Sequence, residues 1–363
     1  MKKTLRRVIA FAAMLTLLMG CAKEPEPAPE QPTEQNSEQT PEQPSEQDFE
    51  QPTEQDSEPT PEQDSEPTPV ESVNVRVGSL KGPTSIGIIR MIHEQANSNY
   101  SFTMETQADV ILASMVSGQL DIALIPANVA ALLYKKTDGG ISVIDINTLG
   151  VLYMVSGDKS IGEMKDLEGR TVYTTGAGTT PEYVLRYLLK ENGLSDKVNI
   201  EFKSEATEVA ALLAEDETAV GMLPQPFVTV ATSQNEALSV VLDMTAEWEG
   251  LKNGSQLVTG VTVVRNEFLE EHPEAVSAFL ADHAADAEFV NSNVETASGY
   301  VAEAGIIEKA PVAAKAIPYC NLVCITGSEM KAALSGYLTV LFEQDPSSVG
   351  GSLPADAFYY GAE

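Results

Sequence analysis

Ten residues, in two matched sets, carry the binding chemistry this sequence offers. Lys81, Gly82, Thr84 and Ser85 lie in a loop between an apolar run and a helical one, and Gly178, Thr179 and Thr180 lie in a second loop of the same kind. A helix that starts in such a loop turns free N–H groups and a positive dipole end toward it, which suits a carboxylate, sulfonate or phosphate. Glycine there lets the backbone approach closely. Asn128 and Gln225 each follow a short apolar run that stops at a proline, Pro126 or Pro224. Their amides donate and accept hydrogen bonds without charge. Phe227 offers a stacking surface, and Tyr153, Tyr183 and the single tryptophan, Trp248, offer further aromatic walls or ordinary packing. Any one loop reads equally well as a tight strand-to-helix turn; the matched pair is what points to a ligand. Lys81 is the only cation in these loops, so an anion with two or more charges would lack counter-charge. The expected ligand is mono-anionic, zwitterionic or a neutral heteroaromatic.

Other chemistries find little support. The three histidines, His93, His272 and His283, sit in helical runs with no metal-ligand or triad company visible in sequence. Cys320 and Cys324 are four apart. In an extended run that spacing is about 13 Å and too far to bridge, whereas in a helical turn the two could pair. No phosphate loop, dinucleotide fingerprint or nucleophile elbow occurs. The reading is therefore a binding protein without catalytic residues, metal or cofactor.

The two sets of loops belong to one pattern stated twice. Gly82 and Gly178 are 96 residues apart, and Pro126 and Pro224 are 98 apart. Helices are expected at 85–95, 108–117, 128–136, 182–191, 208–214, 266–290, 294–304 and 328–342. Strands are expected at 73–78, 101–106, 120–125, 141–147, 151–155, 170–175, 198–203, 219–223, 239–243 and 257–264. This alternation implies an α/β fold with mostly parallel sheets covered by helices on both faces. Two similar lobes in one chain read as a clamshell with its ligand between the carboxyl ends of both sheets. The expected division is 73–157 with 256–363 for the first lobe and 158–255 for the second, with hinge crossings near 155–161 and 254–258.

Residues 1–21 read as an export signal: Lys2, Lys3, Arg6 and Arg7, then an apolar stretch from Val8 to Met19 that is too short to span a bilayer. The signal ends in Leu18-Met-Gly-Cys21, which resembles a bacterial lipobox. That resemblance implies diacylglycerol on the Cys21 thiol and anchoring at the extracytoplasmic face of a Gram-positive-type cell membrane. Residues 22–72 are Pro, Glu, Gln, Ser and Thr almost throughout, with glutamates at every fourth position from Glu30 to Glu66. Like charges at that spacing repel, prolines interrupt any helix, and there is too little apolar surface to offset ordering. The segment reads as a stalk, reaching roughly 150 Å if extended and roughly 40 Å as a coil. With a net charge of −32 over the chain, nucleic acid is excluded as a partner.

Four phrases extend the argument: Ser117 to Pro126 (SGQLDIALIP), Asp166 to Arg170 (DLEGR), Leu223 to Phe227 (LPQPF), and Phe268 to Phe279 with His272-Pro273 inside. In this order and spacing the chain resembles the substrate-binding proteins of ABC importers, in the group handling sulfonates, taurine, nitrate and thiamine-pyrimidine precursors. The resemblance covers 73–345. It implies a type II periplasmic-binding fold, acting as a monomer, that closes on a small molecule and delivers it to a permease and its ATPase. That family commonly has Glu where this chain has Gln225, so no cation contact carries over there. A sensor or wall-associated binding protein of the same build, or an enzyme on the same fold, are the alternatives.

Overall fold

The computed structural model describes residues 73–362. The leader, Cys21 and the stalk lie outside the described residues. Within them, eleven strands form two sheets: β1 (Val75–Leu80), β2 (Tyr100–Glu105), β3 (Ile122–Pro126), β4 (Ile141–Leu149), β5 (Leu152–Ser156), β6 (Thr171–Thr174), β7 (Asn199–Phe202), β8 (Val220–Pro224), β9 (Ser239–Asp243), β10 (Val258–Arg265) and β11 (Leu322–Ile325). One sheet has the order β11-β4-β10-β3-β1-β2 and the other β7-β6-β8-β5-β9. Central strands such as β3 and β8 are short, continuously apolar runs buried on both faces. The edge strands β2 and β7 alternate exposed and partly buried residues instead, as a strand covered on one face should.

The sheets are mixed, which corrects the expectation of mostly parallel pairing. β1 pairs parallel with β2 and β3, and β6 pairs parallel with β7 and β8. β10 runs antiparallel to β3 and β4, β11 to β4, and β5 to β8 and β9. Parallel neighbours require a crossover helix, and each βαβαβ unit supplies two. β5 and β10, which enter their sheets from the other one, run against their neighbours. The first change of sheet also falls earlier than expected. β4 and β5 belong to different sheets, so the chain crosses at Gly150 and Val151 rather than at 155–161. The second change falls between β9 and β10.

Two expected helices are broken. The 85–95 run divides into Pro83–Ile86 and Ile89–Glu94, because Gly87 follows a single turn and Ile86, Ile88 and Ile89 are all fully buried. No single helical stripe can hide three such neighbours. The 266–290 run divides at His272, since Pro273 has no N–H to give and its ring opposes the preceding turn. Helices Phe227–Gln234, Met244–Gly250 and Ala310–Ala316 and the strand β11 were not expected. Cys320 and Cys324 are free thiols, the first buried beside Ala316 O and the second on β11.

One buried charge ties the first sheet together. Asp121, 1% exposed, accepts from the Arg76 backbone N–H at 3.0 Å, from Arg76 Nε at 2.8 Å and from Arg265 Nη2 at 3.3 Å. Burial alone would raise this carboxyl, but the arginine hydrogen bonds outweigh it and hold the group below its ordinary range.

Candidate functional site

The parallel strands decide where the site lies, because all six deliver their carboxyl ends to one cleft. β1, β2 and β3 from one sheet face β6, β7 and β8 from the other, and a cavity of about 470 Å³ lies among the loops that follow them. The antiparallel β5 and β10 begin where their neighbours end, so Leu152 and Thr259 join the lining. This size suits a small organic molecule.

Six of the ten expected residues line the cavity: Lys81, Gly82, Thr84, Thr179, Thr180 and Phe227. The other four do not. Ser85 is fully buried, its Oγ 2.8 Å from Ser79 Oγ and donating to Leu80 O at 2.6 Å, so it closes the turn. Gln225 is 4% exposed, and its Oε1 accepts from Thr229 Oγ1 at 2.9 Å and Thr229 N at 3.3 Å, occupied by the helix it introduces. Gly178 has φ +74, a left-handed conformation, and a Cβ there would meet nothing. Its N–H donates to Glu182 Oε2 at 2.7 Å. Its value is conformational rather than one of close approach. Asn128, fully buried, donates to Gly178 O at 3.1 Å and to Ser348 O at 3.3 Å.

Asn128 therefore ties the two loop sets rather than presenting its amide to the cavity. Two more bonds cross between them. Gln107 Nε2 donates to Ser204 O at 3.1 Å, and Thr180 Oγ1 lies 3.4 Å from both Asn128 Oδ1 and Thr259 O, where its one proton serves either. The expected aromatic walls are elsewhere. Trp248 is fully buried, its Nε1 donating to Ser255 Oγ at 3.1 Å and its ring packed between Tyr187 and Tyr337. Tyr153 and Tyr183 pack on the apolar cores. These large rings satisfy more contacts in a core than on a loop, which sequence spacing does not reveal.

The helix starts are unequal. Thr180–Glu191 is a full helix with no side-chain cap; its N-cap is Thr179, and Thr179 Oγ1 donates back to Gly176 O at 2.7 Å. Its partner in the first copy is the single turn Pro83–Ile86, so the dipole contribution comes mainly from the second loop set.

The loops after β2 and β7 were missed. They place Gln107, Asp109, Lys203, Ser204 and Glu205 on the cavity, and Lys203 corrects the view that Lys81 is the only cation there. Lys203 Nζ lies 3.3 Å from Glu201 and 5.2 Å from the Tyr173 ring centre. The signal was available: β2 and β7 are the middle strands of the two copies, and parallel strands end on the same side. The cavity thus holds a cation from each copy, the acids Asp109 and Glu205, a ring of hydroxyls and an apolar floor from Leu152 and Phe227. Such a lining can orient a molecule with both polar and apolar parts.

Three comparisons bear on this geometry. A family model described as NMT1/THI5 like matches residues 104–297. No curated protein matches the chain. Among solved structures, an ABC transporter protein from Parabacteroides distasonis is 22% identical with a TM-score of 0.67, over 80% of this chain and 99% of that one. The periplasmic aliphatic sulphonate binding protein SsuA from Escherichia coli is 16% identical with a TM-score of 0.60, over 76% and 93%. The Candida albicans CA3427 gene product, described as having the generic periplasmic binding protein structural fold, is 13% identical with a TM-score of 0.53, over 78% and 92%. This chain has the same fold.

Proposed function

The chain belongs to the NMT1/THI5-like family, and on that premise we propose that it is an extracytoplasmic solute-binding protein of an ABC-type importer. It captures a small organic molecule between its two sets of loops and presents it to a permease driven by an ATPase. The observation that carries this reading is a cavity to which both βαβαβ units contribute matching strand ends. Named neighbours of the same fold include an ABC transporter protein and an aliphatic sulphonate binding protein, which supports the importer role. The ligand class remains mono-anionic, zwitterionic or neutral heteroaromatic. Lys81 and Lys203 beside Asp109 and Glu205 favour the zwitterion among these, because both signs of charge find partners.

The lipobox-like Leu18 to Cys21 and the stalk of residues 22–72 supply the tether in this account. Among the described residues no helix is long and apolar enough to cross a membrane; in this reading attachment is by lipid at Cys21. A chain with two or more acyl groups holds firmly, each buried methylene contributing about 0.8 kcal/mol. Native mass spectrometry of freshly purified protein tests the binding role. One small molecule per chain, released on denaturation and retained less by a Thr180→Trp variant that fills the cavity, is the expected result. Equal retention by that variant, correctly folded, places the molecule elsewhere and overturns the assignment.

A further inference from the structure

Away from the cavity, three side chains with metal-ligand chemistry converge in the larger sheet. Asp145 on β4, His283 on the helix Pro273–Ser292 and Cys324 on β11 bring a carboxylate oxygen, an imidazole nitrogen and a sulfur within 4.8 Å of one another. His283 Nδ1 is 3.1 Å from Asp145 Oδ2. Asp145 and His283 are fully buried, while Cys324 is partly exposed on an edge strand. None of the three lines the ligand cavity.

We infer that Asp145, His283 and Cys324 form a site for a zinc-class divalent cation, with a fourth position open toward the exposed side of Cys324. Zinc bonds of about 2.0–2.3 Å place neighbouring ligand atoms roughly 3.3–3.8 Å apart in a tetrahedron. The Nδ1–Oδ2 pair, 3.1 Å apart, already stands close to that spacing, and the sulfur, within 4.8 Å of both, must approach by at most about 1.5 Å to reach it, by side-chain rotation on an edge strand. Thiolate and imidazole with one carboxylate suit zinc or a similar borderline-soft ion and not magnesium or calcium, which take oxygen.

One further observation marks a built site. Thr262 Oγ1 donates to Asp145 Oδ1 at 2.8 Å, and Asn147 Nδ2 donates to Thr262 Oγ1 at 3.2 Å, so the carboxylate is held from behind as metal-ligating carboxylates are. Metal entry exchanges for the proton between Asp145 and His283 and the proton on Cys324.

Cobalt(II) is the probe, added to the full chain purified without an affinity tag. The expected result is one equivalent bound with a thiolate-to-cobalt absorption band. The band should vanish in Cys324→Ser and persist in Cys320→Ser, and Thr262→Val should weaken affinity by about 10- to 100-fold. Absence of the band, including cobalt held only by the acidic stalk without it, overturns the site, as does an unchanged band in Cys324→Ser. Should Cys324→Ser fail to fold, alkylation of Cys324 in the unaltered chain, followed by peptide mass mapping, decides the matter. Zinc should slow it at least tenfold, and equal rates with and without zinc show a hydrogen-bonded trio only.

Discussion

At the scale of single residues, the chemistry that mattered was that of partners brought from far along the chain. Asp121 sits in a run whose apolar neighbours marked it as part of a strand, but nothing local says that Arg76 and Arg265 converge on it. The same holds for His283, whose company of Asp145 and Cys324 exists only once three elements meet. Lys203 was legible in principle, since it ends a strand in the same sense as Lys81, but its loop has no glycine or proline to draw attention. The Asp121 cluster makes a testable case. Its folded-state carboxyl lies below the unfolded value, so its contribution is present above about pH 4 and is lost as pH falls through the depressed folded value. Asp121→Asn should therefore cost about 2–3 kcal/mol at neutral pH, and the gap should narrow below about pH 4. Urea unfolding of both forms across that range measures it; a gap that stays constant with pH would mean the charge contributes nothing.

At the scale of elements, period and punctuation identified ten of the eleven strands and most helices. The failures have specific causes. β11 is only four residues, and Pro318 with two cysteines nearby gave it no alternation to read. The helix Phe227–Gln234 begins at the residue expected to stack on ligand, so the aromatic is fixed by the helix start; it lines the cavity but is only 5% exposed. Asn128 was expected in the site and is instead a tie: as the second residue of Ala127–Lys136 it is aimed across the cleft at Gly178 O. Asn128→Ala should therefore lower ligand affinity by destabilising the closed arrangement, not by losing a ligand contact. A neutral hydrogen bond is worth about 0.5–1.5 kcal/mol, so the loss should be roughly 2- to 13-fold. Calorimetry should find that loss with the ligand's own enthalpy nearly unchanged. Full affinity in the folded variant would show that the tie is incidental.

At the scale of the whole molecule, the account joins a tether, a stalk and a two-sheet receptor. The repeat was readable because each copy must end its strands on one side to build half a site. The mixed sheets were not, because an antiparallel strand buried on both faces looks the same in sequence as a parallel one. The tether has its own test: a Cys21→Ala precursor should leave the detergent phase that the natural form enters, and equal partitioning of both forms would remove the lipid anchor from the account. The central claim is capture by closure of one loop set on the other. Small-angle scattering of the protein emptied of its bound compound, then resupplied with that compound at saturation, tests it most directly. The account predicts a smaller radius of gyration on binding, reversed when the compound is dialysed away. A profile unchanged at saturation would contradict it.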